Sequence, residues 1–305
     1  MLPVLVLFFN RLDTLQKTLE SILKQPHGAI YISCDGPVQA YVRECTEVRD
    51  YITELFKMGV IHNLRISEVN GGTLLGVSNG IDWFFTQETI GVIIEDDLVL
   101  ESGLLEAVEM SSICLVEDNV VSIGLYNRIS TKYISNNDQI IRRSKFVISC
   151  GWVTTREKWN DRITTFRGVN YGKLFVEMIR AIGFSSAVYH LWLYRGLLKQ
   201  ERIDARKLSW DHLWQLNCFL KNKTVAVFNR NMITNIGNDA RATHTAGKPL
   251  YAEIIPITEA ELKSPDCWNL PKDIDKLSDS YFMNDRKLSS IIRIKVKIRT
   301  RLGFR

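Results

Sequence analysis

Three adjacent carboxylates, Glu95, Asp96 and Asp97, end an apolar run from Gly91 to Ile94. Like charges this close repel unless a cation stands among them. Hard divalent cations take oxygen ligands, one or two carboxylates together with phosphate oxygens. The chemistry open to the cluster is therefore cation-assisted handling of a phosphorylated ligand, and the plain alternative is a solvated acidic turn. Context favours the first reading, because other polar residues follow apolar runs in the same way. Asn10 and Arg11 follow the first run, Asp35 and Gly36 the second, and Asn70, Gly71 and Gly72 the third.

These residues need elements that bring them to one place. Pro3–Phe9 reads as a strand, Leu12–Leu23 as an amphipathic helix and Ala29–Ser33 as a strand. A polar helix follows over Val38–Met58, then strand Leu64–Val69, helix Leu74–Phe85 and strand Gly91–Ile94. Repeated βα units with continuously apolar strands predict a parallel sheet covered on both faces. Ligands of such sheets sit beyond the carboxyl ends of the strands. The polar residues above all fall there.

Further along, strands are expected at Val120–Gly124 and Phe146–Ser149, with a polar loop from Asn127 to Arg143 between them. Helical patterns cover Arg156–Trp159, Tyr171–Ile182, Ala187–Gln200 and Trp210–Asn222. Strands Val225–Phe228 and Met232–Asn235 precede a Gly-, Thr- and His-containing loop that runs to Gly247. Pro256–Lys276 is expected to wrap the surface. The stretch Ala187–Leu198 is apolar nearly all round, which predicts a core helix or, if exposed, a membrane-facing or oligomer surface.

Several segments, taken in order, resemble GT-A glycosyltransferases. The run ending Glu95-Asp96-Asp97-Leu98 is similar to their D-x-D-type motif, in the E-D-D form of N-acetylglucosaminyltransferase-I-like enzymes. Val4–Arg11, Ile32–Pro37, Asn70-Gly71-Gly72 with Gly76, Cys150–Arg156, Ser209-Trp210-Asp211 with Trp214, and Asn235–Thr245 resemble a bacterial family 2-like group of hemolytic-protein-like glycosyltransferases. The fold implied is α/β, a mixed and mainly parallel Rossmann-like sheet flanked by helices. Residues 1–250 would form that domain, 1–100 its nucleotide-binding half and 101–250 its acceptor-binding half, with 251–305 a C-terminal extension carrying a basic tail.

The resemblance also implies roles. Asp97 and His244 would ligate Mn2+ or Mg2+, with Asp96 and Glu95 assisting at the donor. Asp35 would bond the nucleobase, and Asn10 and Arg11 would line the same pocket. For Asp35-Gly36-Pro37 the other reading is a plain turn. Asn79 would contact the donor or stand as an ordinary helix-surface asparagine. Gly151 and Trp152 would lie under the donor sugar, although tryptophan is also a good core residue. Asp211 would be the general base that takes the acceptor hydroxyl's proton, with His212 ranked second. Its position at a helix start equally suits a structural cap. The activity implied is inverting transfer from a nucleoside-diphosphate sugar, with UDP favoured, to a saccharide or lipid-linked saccharide of a bacterial surface polysaccharide.

Composition narrows the setting. The chain has 305 residues, 46% hydrophobic and 24% charged, within the ordinary globular range. Its six scattered cysteines form no C-x-x-C pair and suit reduced thiols in a cytosol. The apolar start lacks the basic flank and cleavage site of a signal peptide. A cytoplasmic protein is expected, at or near the inner face of the membrane. Arg286 to Arg305 holds eight basic residues and no acid, and without them the formal charge of +5 becomes −3. That tail suits an anionic membrane surface; nucleic acid is not expected as a partner, since no recognition motif is present.

Competing activities fare less well. A sugar-phosphate nucleotidyltransferase needs a Gly-rich phosphate loop after the first strand, where this chain has Phe8-Phe9-Asn10-Arg11. A dinucleotide-dependent dehydrogenase needs G-x-G-x-x-G there, and no Walker A motif occurs. A non-catalytic sugar-nucleotide-binding module would not need Glu95, Asp96, Asp97, Asp211 and His244 together.

Overall fold

The computed structural model describes residues 1–127, 129–135, 139–237 and 254–284. Its first half alternates β1 (Val4–Phe8), α1 (Leu12–Leu23), β2 (Ile30–Cys34), α2 (Val42–Lys57), β3 (Asn63–Ile66), α3 (Gly72–Gln87) and β4 (Ile90–Glu95). The second half holds β5 (Leu98–Leu100), α4 (Leu104–Ser111), β6 (Val120–Gly124), β7 (Ile141–Ser144), β8 (Trp152–Thr155), α5 (Arg156–Asn160), α6 (Tyr171–Ile182), α7 (Phe184–Asp204), α8 (Trp210–Leu220), β9 (Thr224–Phe228) and β10 (Ile233–Asn235).

Among the described residues, eight strands form one sheet in the order β3-β2-β1-β4-β8-β6-β9-β7. β1, β2, β3 and β4 are mutually parallel, β6 and β9 are parallel, and β8 and β7 run against their neighbours. The α/β class with a mixed sheet flanked by helices, expected from the sequence, is the one found. β1, β2, β6 and β9 are buried along their whole lengths, as strands covered on both faces must be. A separate two-stranded ribbon pairs β5 with β10, setting Leu98 against Asn235.

Two expectations fail for physical reasons. Phe146–Ser149 is not a strand; the strand is β7, inside what reads as a polar loop. Its arginines are buried, which no hydrophobic pattern reveals. Arg142 donates to the Phe228 carbonyl (3.0 Å) and to Asn229 Oδ1 (2.9 Å). Arg143 pairs with Glu117 at 2.8 Å and donates to the Pro271 carbonyl at 2.7 Å. Pro256–Lys276, expected at the surface, is partly core, with Trp268 3% exposed. Within it Asp275 accepts from Ser135 and Ser278, and just beyond it Asp279 accepts from the Lys145 amide (2.9 Å). Residues 254–284 therefore complete the sheet's far edge.

Four tryptophans lock the centre. Trp152 of β8 stacks on Trp210 of α8 with centroids 4.9 Å apart, and Trp159 and Trp214 lie 5.7 and 5.8 Å from it. The cluster joins β8, α5 and α8, so it fixes where α8 begins. Deleting a large buried ring costs about 3–5 kcal/mol through lost transfer energy and a residual cavity. Trp152→Ala is expected to lose that much in urea denaturation, with Trp152→Phe recovering most of it.

Candidate functional site

β1 lies between β2 and β4, with Phe8 opposite Cys34 and Leu7 opposite Glu95. That register delivers Asn10 and Arg11, Asp35, and Glu95-Asp96-Asp97 to one edge of the sheet. Arg11 is also the residue on which α1 begins. From there its guanidinium reaches both neighbouring acids, Nη2 lying 2.9 Å from Asp96 Oδ1 and 3.0 Å from Asp97 Oδ2. Burial works against the Arg11 charge, but Asp96 and Asp97 outweigh it and hold the group protonated.

The acid turn is held by its backbone as well. Thr18 of α1 donates to the Asp96 carbonyl (2.9 Å), and Ser21 accepts from the Leu100 amide (3.0 Å). The Ile236 amide donates to the Asp97 carbonyl (2.8 Å), extending the β5–β10 ribbon over the acids. The next residue, Gly237, packs directly on Asp97: a Cβ there would stand 1.9 Å from Asp97 Oδ2 and 2.8 Å from Arg11 Nη1. Only glycine permits that approach. Gly237 is a site residue that the sequence reading did not single out, although it stands in the Asn235-Ile236-Gly237 string.

Electrostatics at the turn are unbalanced. Burial and the charges of Asp97, Asp96 and Asp211 push Glu95 up to about 8, against the relief from Arg11. Burial likewise raises Asp96 to about 7, with Arg11 working the other way. The Asp211 charge is thus felt at Glu95, so the start of α8 faces the acid cluster. Among the described residues Asp97 Oδ1 is buried without a hydrogen-bond partner. One unclaimed carboxylate oxygen beside two further acids suits a hard cation that takes its other ligands from phosphate oxygens. Among the described residues no group of three or more His, Cys, Asp and Glu side chains has ligand geometry. His244 lies outside the described residues.

The other expected site residues divide. Asn10 is half-buried beside Arg11. The Asp35 carboxylate accepts from the amides of Gly36 (2.8 Å), Gly71 (2.9 Å) and Gly72 (3.1 Å) and from Asn70 Nδ2 (3.1 Å). It binds the start of α3 to the end of β2, and Gly76 leaves it room, a Cβ there standing 2.5 Å from Asp35 Oδ2. Gly151 adopts φ +73° beneath Ile233, whose Cδ1 a Cβ would meet at 2.7 Å, so it supports the β10 ribbon. Trp152, expected under the donor sugar, is 1% exposed, and its ring stacks on Trp210. Asn79 is exposed and lines a cavity of about 210 Å³ with Asp82, Trp159, Arg162 and Trp214.

Comparisons with known proteins add little beyond shape. No family model matches the chain, and no curated protein matches it. Among solved structures, S. aureus TarS residues 1–349 superposes with a TM-score of 0.41 at 12% identity, over 73% of this chain and 71% of that one. GalNAc-T7 with UDP, GalNAc and Mn2+ gives 0.42 at 11% identity, over 73% of this chain and 54% of that one. A CMP:2-keto-3-deoxy-manno-octonic acid synthetase complexed with CTP gives 0.37 at 9% identity, over 75% and 89%. At these values none decides an activity.

The raised carboxyls make stability depend on pH in a defined direction. Glu95 and Asp96 hold protons more tightly folded than unfolded, so their contribution is complete below the ordinary carboxylate range. It is lost as pH rises through about 7 and about 8. The urea midpoint of the ligand-free protein is expected to fall between about pH 5 and pH 8.5. Glu95→Gln should flatten that fall, and an unchanged slope would mean that Glu95 does not titrate in this range.

Proposed function

We propose that the strand-end face binds the diphosphate of a nucleoside-diphosphate sugar and that the protein is a glycosyltransferase. The observation that carries this reading is the buried acid turn in which Arg11 claims one oxygen of Asp97 and the other has no partner among the described residues. Asp97 Oδ1 would hold Mn2+ or Mg2+, with His244 as a further ligand. The cation supplies charge neutralisation for a departing diphosphate. Arg11 keeps the adjacent acids from repelling the nucleotide. Asn10 and the Asp35 turn stand at the two strand ends next to it, where a nucleoside would lie.

Asp211 serves as the base. Its carboxylate takes the proton of the acceptor hydroxyl while that oxygen bonds to the anomeric carbon. The bond from that carbon to the diphosphate oxygen breaks at the same time, and its electron pair leaves with the diphosphate. One base opposite one leaving group gives inversion. The acceptor is a saccharide or a lipid-linked saccharide, and UDP is the favoured nucleotide.

A thermal-shift series of nucleoside diphosphates with and without manganese tests the class. At a hundredfold excess over Kd a bound ligand stabilises by about 2.7 kcal/mol. Manganese-dependent stabilisation by UDP or another diphosphate is expected in the wild type and absent in Asp97→Ala. Full stabilisation of Asp97→Ala would remove the cation role. Asp211→Asn should keep the nucleotide response while sugar transfer falls at least about a hundredfold, the usual scale of a lost general base. Loss of the nucleotide response instead would make Asp211 a structural cap.

A further inference from the structure

α7 has two apolar faces that look in opposite directions. Its buried residues are Ala187, His190, Tyr194 and Glu201. On the other side Phe184, Trp192 and Ile203 are 66, 66 and 78% exposed, and Val188 is also exposed. At about 100° per residue these four share an arc of roughly 100° with Arg195, Lys199 and Arg202. All three cations are exposed, and none has a carboxylate partner among the described residues. The two acids of this helix lie off that arc. Glu201 is buried, and Asp204 is held by Arg206 at 3.0 Å. Neighbouring α6 adds exposed Val176 and Lys173, while its Glu177 is paired with Arg180 at 2.8 Å.

Large apolar side chains with cations among them, and no anion, form the side-chain set of a helix lying in a lipid–water interface. Trp192 and Phe184 would enter the headgroup boundary, and Arg195, Lys199 and Arg202 would meet anionic headgroups. From Phe184 to Ile203 the face extends roughly 28 Å at 1.5 Å per residue, enough to rest on many headgroups. A second copy of the chain is a poorer occupant, because it would bring like cations together. We propose that the outer face of α7 docks on an anionic membrane surface. No described helix is long and apolar enough to cross a membrane, so the contact is peripheral. This face is made of other residues than the basic tail, and its docking needs no assumption about the activity.

The test is co-sedimentation of the full chain with phosphatidylcholine vesicles containing or lacking phosphatidylglycerol. Three proteins are compared: wild type, Phe184→Ser with Trp192→Ser, and Arg195→Glu with Lys199→Glu. Circular dichroism confirms that each is folded. Binding is expected only with phosphatidylglycerol, and each double variant should lower the partition coefficient roughly tenfold or more. Raised salt should weaken the wild type in the same way. Equal binding by all three proteins, or none by the wild type, overturns the proposal. A wild-type dimer that the Phe184→Ser, Trp192→Ser variant abolishes, without vesicle binding, gives the face to a second copy and overturns it too. Nucleotide-dependent stabilisation, measured on the same variants without vesicles, stays at wild-type level, so a failure here is distinct from a failure at the strand-end site.

Discussion

The site depends on one guanidinium shared by two buried carboxylates. Asp96 and Asp97 are adjacent, mostly removed from water and negatively charged at the end of a strand with no room to splay. A buried charge without a partner costs several kcal/mol, so the turn needs a cation. Arg11 supplies it from the start of α1, directly after the neighbouring strand. Because that contact spans the ends of β1 and β4, their register cannot slip without stranding the charge. The hydroxyls of Thr18 and Ser21 then tie α1 to the backbone of the acid turn, at Asp96 and Leu100. Gly237 closes over the pair because it has no side chain to place there.

Charge compensation at this turn is incomplete. Arg11 satisfies one oxygen of each aspartate but not Glu95, which stays within the influence of three other acids. A protein needing only a stable turn would gain from an amide or an apolar residue at position 95. With Glu95 pushed up to about 8, the third acid holds its proton near neutral pH and gives it up only as pH rises or as positive charge enters the turn. Under the proposed function a bound cation would relieve these acids together, and stability and ligand affinity would be coupled through the same carboxylates.

Elements with uniformly apolar strands or helices carrying one buried stripe were legible: α1, α6 and β6 fall on their expected residues. The acids and Arg11 were legible as strand-end residues, since a parallel sheet collects those ends on one edge. Less legible was whatever depends on long-range pairing. β7 contains two buried arginines whose partners are Asn229 and Glu117, 87 and 26 residues away, so it reads as a polar loop. The burial of Trp152 follows from three other tryptophans that only folding assembles. Asp35 carries the opposite lesson, because a turn-forming Asp-Gly-Pro and a ligand-facing strand end look identical until the amides of Gly71 and Gly72 are seen pointing at it. Gly237 needed the β5–β10 pairing to bring it onto Asp97.

α7 shows why periodicity alone hides a surface. A helix with one apolar face and one polar face announces its orientation; a helix apolar on two opposed faces cancels that signal and reads as core. Only exposure separates the face against Tyr194 and His190 from the face carrying Trp192 and Phe184. The helix also connects to the site through a short chain of contacts. Its end runs into the turn at Arg206, whose carbonyl a Cβ on Gly72 would meet at 2.4 Å, and the Leu208 carbonyl accepts from Thr73 at 2.7 Å. Those residues begin α3, the helix start that Asp35 binds to β2. Two residues beyond Leu208 begins α8, which carries Asp211. A body seated on the outer face of α7 would thus press on the element between the Asp35 turn and the Asp211 helix start. The turn from Arg206 to Leu208 therefore joins α7 to the start of α3 and to the start of α8.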